Sequence, residues 1–334
     1  MSSPHLAPPL DVELRAGRTP LLQVEPTADA PGWAARHRDG LRAAVNQHGA
    51  VLVRGLGLHD AAQVAAVFQR LGNGLMPERE AFAPRQVYYE GIYSSTKWPA
   101  NQPMCMHHEL SYSLEVPALM LFACLTPPAS GGVTGVADST AVMNALPPDL
   151  VQRFAREGWM LVRNYTDEIG ASYADTFGTA DRGAVEAYCR ANAIEFEWRP
   201  DGGLRTRQRR HALVGHPVTG QACWFNQIAF LNEWTMDPDV HEYLVDAYGA
   251  DGLPFTTSFG SGDPVGQDIV DLLNRVYEAH TLREAWQAGD LMLVDNIRSA
   301  HSREPFTGPR EVLVGMADPV RLADCSPTVK VNAG

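Results

Sequence analysis

The chain has 334 residues, 45% of them hydrophobic and 20% charged, so it can bury a large core and does not have the composition of a disordered protein. Its formal net charge of −12 argues against nucleic acid or an anionic membrane as the main partner, because both select basic surfaces. We expect a cytoplasmic protein, since no apolar run reaches the length of a membrane span and no signal-peptide pattern opens the chain. The five cysteines are scattered and never form a CxxC pair, which indicates reduced thiols.

In chain order, the sequence predicts a loosely attached N-terminal arm over residues 1–30, followed by a single domain over residues 31–334. Apolar residues at helical spacing predict helices over 32–48, 59–71, 139–146, 148–157, 181–193, 240–248 and 263–280. Asp263 is the expected cap of the last helix and Pro264 its first residue. Short apolar or alternating runs predict strands over 50–55, 86–94, 118–125, 159–164, 194–198, 204–207, 212–215, 222–226, 290–295 and 310–316. Short, unevenly spaced strands with a few helices outside them indicate one mainly β domain, an antiparallel barrel or sandwich.

The stretch 106–112, MHHELSY, places a histidine and a carboxylate two residues apart, just before the apolar run 118–125. Side chains alternate faces along an extended strand, so we expect His107 and Glu109 to point the same way and His108 to point oppositely. An imidazole nitrogen and a carboxylate oxygen on one face suit a first-row transition metal such as Fe(II). A third ligand must come from another part of the chain.

His301 stands out by its context among the eleven histidines, although a lone histidine is more often a core or surface residue than a ligand. It follows the predicted strand 290–295, an apolar run that ends in polar residues. Further along, Arg310 opens another apolar strand. An arginine in that position can make a bidentate contact to a carboxylate inside a barrel, whereas a surface arginine at a turn is the alternative interpretation.

These motifs occur in order with others, namely GAVLVRG at 49–55, YSSTKWPANQPMCMHHELSY at 93–112, GGVTGVADS at 131–139, WFNQ at 224–227 and GDLMLVDNIRSAHSREPFTGPREVLVGM at 289–316. Over most of its length the chain resembles the Fe(II)/2-oxoglutarate-dependent dioxygenases of the TauD/TfdA-like superfamily. It most resembles the syringomycin-type branch, which hydroxylates amino acids in natural-product pathways. The resemblance implies a double-stranded β-helix core (a cupin-like jelly roll) with peripheral helices.

The resemblance also implies that His107, Glu109 and His301 hold Fe(II). Arg310 would form a salt bridge to the distal carboxylate of 2-oxoglutarate, and Thr134 would add a hydrogen bond to the same group. The implied enzyme uses Fe(II), 2-oxoglutarate and O2 to oxidise an unactivated C–H bond, most often by hydroxylation, while 2-oxoglutarate becomes succinate and CO2. The expected substrate is an amino acid or an amino-acid-derived small molecule, free or tethered to a carrier protein. Halogenating relatives replace the carboxylate ligand with a small residue, so Glu109 argues against halogenation.

The chain departs from the family pattern at three places. Val133 stands where the branch usually has the glutamate of GGET, which puts the usual substrate in doubt. Val314 stands where taurine dioxygenase has a second arginine, so the proximal carboxylate of 2-oxoglutarate needs another partner. Ile228, Ala229 and Phe230 replace the usual residues after WFNQ. We therefore expect a more apolar substrate pocket.

Several further residues are candidates for substrate binding. Arg205 and Arg207 lie in a strand-like segment, where either can bind a substrate carboxylate or line a solvated face. Asn226 ends a strand, and its alternative role is a turn hydrogen bond. Tyr93 flanks the metal-binding stretch, although aromatic packing is the commoner use of such a residue. His108 is expected to face away from iron but within reach of substrate or the metal ligands.

Other functions remain open at this point. The same ligands serve desaturation, cyclisation and rearrangement, since the outcome depends on the geometry of the pocket. A metalloenzyme that does not use 2-oxoglutarate and a non-catalytic family member that binds a small molecule are the two rival classes. The sequence is also compatible with a homo-oligomer.

Overall fold

The computed structural model describes residues 10–83, 85–166 and 168–325, and within them the elements follow the predicted order. The helices are α1 (Ala30–His48), α2 (Ala61–Leu71), α3 (Ser139–Ala145), α4 (Pro148–Glu157), α5 (Tyr173–Phe177), α6 (Arg182–Ala191), α7 (Pro238–Tyr248) and α8 (Gln267–Ala279). The strands are β1 (Leu21–Gln23), β2 (Ala50–Arg54), β3 (Val87–Tyr89), β4 (Ile92–Ser94), β5 (Met104–His107), β6 (Glu115–Thr126), β7 (Ser130–Gly131), β8 (Val136–Asp138), β9 (Trp159–Tyr165), β10 (Glu195–Trp198), β11 (Leu204–Arg210), β12 (Leu213–Gly215), β13 (Ala222–Trp224), β14 (Phe255–Phe259), β15 (Leu291–Asp295), β16 (Ser299–Arg303), β17 (Phe306–Thr307) and β18 (Glu311–Arg321).

The largest sheet has seven strands in the order β1-β2-β15-β6-β18-β4-β3, with the long strand β6 at its centre. Leu121 and Ala123 pack with α1 and α2 on the outer face, whereas Met120, Phe122 and Cys124 belong to the interior core. Each large apolar side chain buried in this way contributes about 1.5–3 kcal/mol. The prediction that both faces of this strand are covered is confirmed.

A second, three-stranded sheet has the order β5-β16-β8 and pairs its strands antiparallel. In its register His301 lies directly opposite His107. A four-stranded sheet in the order β10-β11-β9-β14 and two short strand pairs complete the β structure of the described residues. The predicted class, mainly β with peripheral helices, is confirmed. None of the described helices is long and apolar enough to cross a membrane.

Two expectations about the chain need correction. Within the segment predicted as a loose arm, Leu21–Gln23 forms β1 and pairs in parallel with β2, because Leu21 and Leu22 are buried against the edge of the main sheet. Residues 1–9 of that arm lie outside the described part. Helix α8 begins at Gln267 after Gly266, four residues later than predicted, because the Asp263 carboxylate binds Arg153 instead of capping the helix.

Candidate metal centre and adjoining cavities

Strands β5 and β16 bring together the three side chains predicted to bind metal. His107 ends β5, His301 lies opposite it on β16, and Glu109 sits in the turn that follows β5. One ligand atom from each residue lies within 4.8 Å of those from the other two, and all three residues are buried. The structure therefore assembles the group that the sequence proposed.

The local reason for this geometry differs from the predicted one. Strand β5 ends at His107, so strand alternation does not set the direction of Glu109. Instead, Leu110 adopts a left-handed conformation with φ of 55°, and Asn296 holds the turn. The Asn296 Oδ1 accepts from the Glu109 backbone N–H at 2.8 Å, and its Nδ2 donates to the Glu109 carbonyl at 3.0 Å. A buried amide that satisfies both main-chain groups fixes the turn firmly.

The protonation states of His107 and Glu109 suit a cation. Burial and the nearby His301 lower the pKa of His107 to about 3, so this imidazole is neutral at ordinary pH. Burial acts to raise the pKa of Glu109, but the Arg85 guanidinium and His301 outweigh it and hold that pKa below its ordinary range. The site thus offers two imidazoles and one carboxylate.

The arrangement leaves space for a metal ion between these atoms. The His107 Nδ1 lies 2.8 Å from the Cys105 carbonyl, and a proton donated there leaves Nε2 as the free ligand. The Nε2 atoms of His107 and His301 approach the same carboxylate oxygen of Glu109 at 3.9 and 3.7 Å. Two histidines and a carboxylate on one side of a cavity, with the other side open, are the ligand set of non-haem Fe(II) oxygenases.

A cavity of about 440 Å³ joins these ligands to the predicted cosubstrate-binding residues Arg310 and Thr134. The Arg310 Nε donates to the Gly132 carbonyl at 3.1 Å, and Nη1 donates to the Ser95 hydroxyl at 3.4 Å. Among the described residues no carboxylate pairs with this guanidinium. Burial and the positive charge of Arg303 lower the pKa of Arg310 to about 10, which still leaves it charged at neutral pH.

Thr134 stands in the same cavity with its hydroxyl oriented. The Thr134 Oγ1 accepts a hydrogen bond from the Trp286 indole at 3.2 Å, so its own O–H is directed elsewhere. A half-buried cation without an anionic partner, beside a hydroxyl donor, is a binding site for the carboxylate of a ligand.

The comparisons with known proteins agree with this site. The family model for the taurine catabolism dioxygenase TauD, TfdA family, matches residues 16–317. The chain belongs to this dioxygenase family. The dapdiamide synthesis protein DdaC of Enterobacter agglomerans is 31% identical over 276 residues, which cover 83% of this chain and 84% of that protein. A clavaminate synthase-like protein of Arabidopsis thaliana is 28% identical over 283 residues, covering 81% and 82%.

Solved structures confirm the predicted jelly-roll core. PvcB from Pseudomonas aeruginosa superimposes with a TM-score of 0.56 at 14% identity, covering 96% of this chain and 97% of that one. A taurine dioxygenase from Burkholderia xenovorans gives a TM-score of 0.53 at 18% identity, covering 95% and 93%. As a member of the TauD/TfdA family, this chain is a 2-oxoglutarate-dependent non-haem iron dioxygenase that uses Fe(II), 2-oxoglutarate and O2.

A second cavity of about 630 Å³ also borders the metal-binding residues His107 and Glu109 of this dioxygenase. Its lining includes five aromatic side chains, those of Phe82, Trp98, Tyr112, Phe230 and Phe255. The Phe230 ring stacks on the His107 imidazole with centroids 4.6 Å apart. The expectation that the residues after WFNQ shape the pocket thus applies to Phe230.

The segment 78–85 contributes Glu78, Arg79 and Arg85 to the charged lining of the second cavity, which also includes Glu109. The Arg85 Nη2 donates to the Glu109 Oε1 at 3.0 Å, and the Arg85 Nε lies 3.0 Å from the Glu78 Oε1. This segment is anchored by Glu80, which is only 2% exposed. The Glu80 carboxylate accepts hydrogen bonds from Gln208 at 2.6 Å and Tyr188 at 3.0 Å.

Two predicted substrate-binding arginines lie away from both cavities. The Arg205 guanidinium binds the Asp251 carboxylate at 3.1 Å, and the Arg207 Nη1 lies 4.0 Å from the Glu197 Oε2. Both arginines project from the face of β11 opposite Gln208, whose side chain reaches Glu80. The substrate-binding interpretation of these two residues is corrected, because the alternation of β11 turns them toward other acidic side chains.

The other candidates also have structural partners. Asn226 donates to the Ala212 carbonyl and accepts from the Ile228 N–H, which is the turn role named as its alternative. The Tyr93 hydroxyl accepts from the Glu78 N–H at 2.9 Å, so it holds the segment 78–85 and borders neither cavity. Val133, half-buried, also borders neither cavity.

His108 faces away from the metal ligands, as expected. Its Nδ1 lies 2.6 Å from the Asn296 carbonyl, and its ring packs against Phe225. Burial lowers the pKa of His108 to about 4. His108 therefore supports the ligand turn and does not reach either cavity.

The sequence did not point to Glu78, Glu80 or Arg85. These residues lie in an irregular stretch without hydrophobic periodicity, and their roles arise from contacts with residues far away in the chain. Nothing in their spacing distinguishes them from a solvated charged loop.

Proposed function

We propose that this dioxygenase hydroxylates an unactivated C–H bond of an amino acid or amino-acid-derived small molecule in a biosynthetic pathway, with conversion of 2-oxoglutarate to succinate and CO2. The proposal rests on one observation above all. The buried group of His107, Glu109 and His301 shares a cavity with Arg310, a half-buried cation that no carboxylate of a described residue pairs with. The similarity to a protein of dapdiamide synthesis supports the biosynthetic setting.

The residues divide the work as follows. His107, Glu109 and His301 would hold Fe(II), and the bound iron with 2-oxoglutarate and O2 supplies the oxidising chemistry. Arg310 and Thr134 would bind the distal carboxylate of 2-oxoglutarate, which orients the cosubstrate toward the metal ligands. Phe230 and the other aromatic walls exclude water from the second cavity and receive the apolar part of the substrate.

The division into two cavities matters for the assignment of substrate and cosubstrate. Arg310 and Thr134 border the smaller cavity, and the aromatic walls border the larger one. His107 and Glu109 border both. A substrate in the larger cavity and 2-oxoglutarate in the smaller one would therefore meet at the metal.

The test separates metal binding, cosubstrate binding and turnover. Fe(II) and 2-oxoglutarate added without oxygen should produce the visible charge-transfer band of the bound chelate. With oxygen, succinate should form at the rate of O2 consumption, and supplying the substrate should accelerate both. His301→Ala should abolish the band and succinate formation. The matched control His59→Ala removes an exposed histidine and should retain both.

Different results would identify the rivals. Metal binding without a band would favour a family member that binds a small molecule without catalysis. Oxygen consumption that does not depend on 2-oxoglutarate would overturn the proposal. Mass spectrometry of the product distinguishes hydroxylation, which adds one oxygen atom, from desaturation or cyclisation, which removes two hydrogens.

A further inference from the structure

Arg85 carries hydrogen-bond donors that the protein leaves unused. Its side chain is 9% exposed, and only Nη2 donates to a protein acceptor, the Glu109 carboxylate. The Nε atom lies 3.0 Å from Glu78 Oε1, but its N–H is not directed at that oxygen and is buried without a hydrogen-bond partner. A buried guanidinium with an unpaired N–H donor can bind a further acceptor, because leaving that hydrogen bond unmade costs free energy.

Glu78 supplies the complementary charge on the same wall. Its side chain is 20% exposed, and Arg85 is the cation nearest to its carboxylate among the described residues. Both residues border the larger, aromatic cavity next to His107. Arg79 and the metal ligand Glu109 also border this cavity, so a ligand that enters it meets Glu78 and Arg85 side by side within a wall of balanced charge.

A zwitterion satisfies this pair better than a singly charged ligand. A ligand carrying only a carboxylate would compete with Glu78 for Arg85 and leave the half-buried Glu78 carboxylate without a partner. A ligand carrying only an ammonium group would do the same to Arg85. An α-amino acid brings both charges on one carbon, so each buried group keeps an opposite charge.

Separate contacts hold the two residues in place. The Glu80 carboxylate is buried between Gln208 and Tyr188, and the Glu80 and Ala81 carbonyls accept from the Arg163 guanidinium, both at 3.0 Å. These contacts fix the backbone two and three residues after Glu78. Arg85 is held by its own hydrogen bond to the Glu109 carboxylate.

We propose that Arg85 and Glu78 bind the carboxylate and ammonium groups of a free α-amino acid substrate. The inference rests on the proposed function and names its substrate class. The amino-acid side chain then extends along the aromatic walls toward His107. A substrate bound through a thioester has no free carboxylate and does not fit this pair.

The test uses the full-length protein loaded with Fe(II) and 2-oxoglutarate in the absence of oxygen. The proteinogenic L-α-amino acids are dialysed against it as a pool, and the retained members are measured by mass spectrometry. Two matched pools carry an acetylated amino group or an amidated carboxyl group. We expect retention from the unmodified pool and roughly 30-fold weaker retention of the same members from each modified pool.

The variants assign the two charges. Arg85→Met and Glu78→Gln should each weaken retention by roughly 30-fold. Arg70→Met removes an exposed arginine of α2 that borders neither cavity, and it should retain the amino acid. If Arg85→Met does not fold, Arg85→Lys keeps the charge but loses the planar fork, and its retention should fall between those of the wild type and a charge-free variant. A lower affinity of Arg85→Met for 2-oxoglutarate, with amino-acid retention unchanged, would make Arg85 a cosubstrate ligand and overturn the inference.

Two further outcomes would also overturn it. One is equal retention of the acetylated or amidated members. The other is no retention of any free amino acid by the wild-type protein. The proposed function is tested separately by succinate formation without added substrate. If the protein consumes 2-oxoglutarate but the Arg85 and Glu78 variants retain amino acids as the wild type does, only the assignment of the substrate class is refuted.

Discussion

Replacing Arg310 with methionine tests the cosubstrate site most directly. The change removes the guanidinium and keeps most of the length and apolar character of the side chain. In the structure Arg310 donates to the Gly132 carbonyl and the Ser95 hydroxyl, and no carboxylate of a described residue accepts from it. Its charge is therefore available to a bound dicarboxylate.

The expected loss of 2-oxoglutarate affinity follows from the charge pair that Arg310 would form with the cosubstrate carboxylate. Truncating one partner of a buried, hydrogen-bonded charge pair costs about 2–5 kcal/mol of binding free energy, roughly 30- to 4000-fold in Kd. Arg310→Lys keeps the charge but loses the planar fork, so its affinity should fall between those of the wild type and the methionine variant. The free energy of unfolding of the cosubstrate-free protein should fall by less than about 1 kcal/mol, because the removed cation has no anionic partner to leave unpaired.

The assay is an anaerobic titration of 2-oxoglutarate into the Fe(II)-loaded protein, followed by the charge-transfer band. Arg321→Met, an exposed change at the far end of β18, the strand that begins directly after Arg310, serves as the matched control and should bind like the wild type. A Kd for Arg310→Met within roughly threefold of the wild-type value would refute the reasoning, because such a small change corresponds to less than 1 kcal/mol. A large loss of folding stability would equally show that Arg310 is a structural residue.

Three other predictions concern stability. Burial lowers the pKa values of His107 and His108 to about 3 and about 4 from 6.5, so below pH 6.5 these residues bind protons mainly in the unfolded state. The free energy of unfolding of the metal-free protein should therefore fall by up to about 1.4 kcal/mol per pH unit for each histidine as the pH falls from 6.5 toward 4. Urea unfolding at successive pH values measures this, and a free energy of unfolding that stays constant over this range would contradict the prediction. Glu80→Ala should cost about 1–3 kcal/mol and speed proteolysis of the segment 78–85, since buried donors lose their acceptor; unchanged cleavage would contradict the anchoring role. Gly131→Ala should destabilise by about 1–3 kcal/mol, because a Cβ there would lie 2.1 Å from the Pro305 carbonyl oxygen at a φ of 66°, and an unaltered urea midpoint would exclude that clash.

The order of elements and the metal group could be predicted from sequence because both depend on short-range patterns. The apolar run around Phe122 predicted a central strand, the H-x-E spacing predicted two metal ligands, and the resemblance to the TauD/TfdA-like family implied His301 as the third. The register that sets His301 opposite His107 joins residues almost two hundred positions apart, and no local pattern contains it. The identity of the ligand residues could therefore be predicted from the sequence, whereas their relative positions depend on long-range strand pairing.

The substrate side was predictable to a much smaller extent. Arg205 and Arg207 were candidates because they lie in a strand-like segment, but the alternation of β11 directs them to acidic side chains outside the cavities. Arg85 reaches the site through its hydrogen bond to Glu109, and Glu80, five residues earlier, is buried through contacts with residues far away in the chain. Secondary-structure propensity and residue spacing do not contain such long-range contacts, so the sequence of an irregular charged stretch does not indicate that it borders a cavity.

The two supports of the metal ligands differ in how freely they can change during evolution. His107 is oriented by the main-chain carbonyl of Cys105, so any residue that preserves the strand at position 105 keeps the acceptor. Glu109 is held by the Asn296 side chain, whose amide donates to one backbone group and accepts from another. No other side chain of that size offers both a hydrogen-bond donor and an acceptor in this way. Among variants that retain iron, the residue type at position 105 should therefore vary, whereas position 296 should remain asparagine.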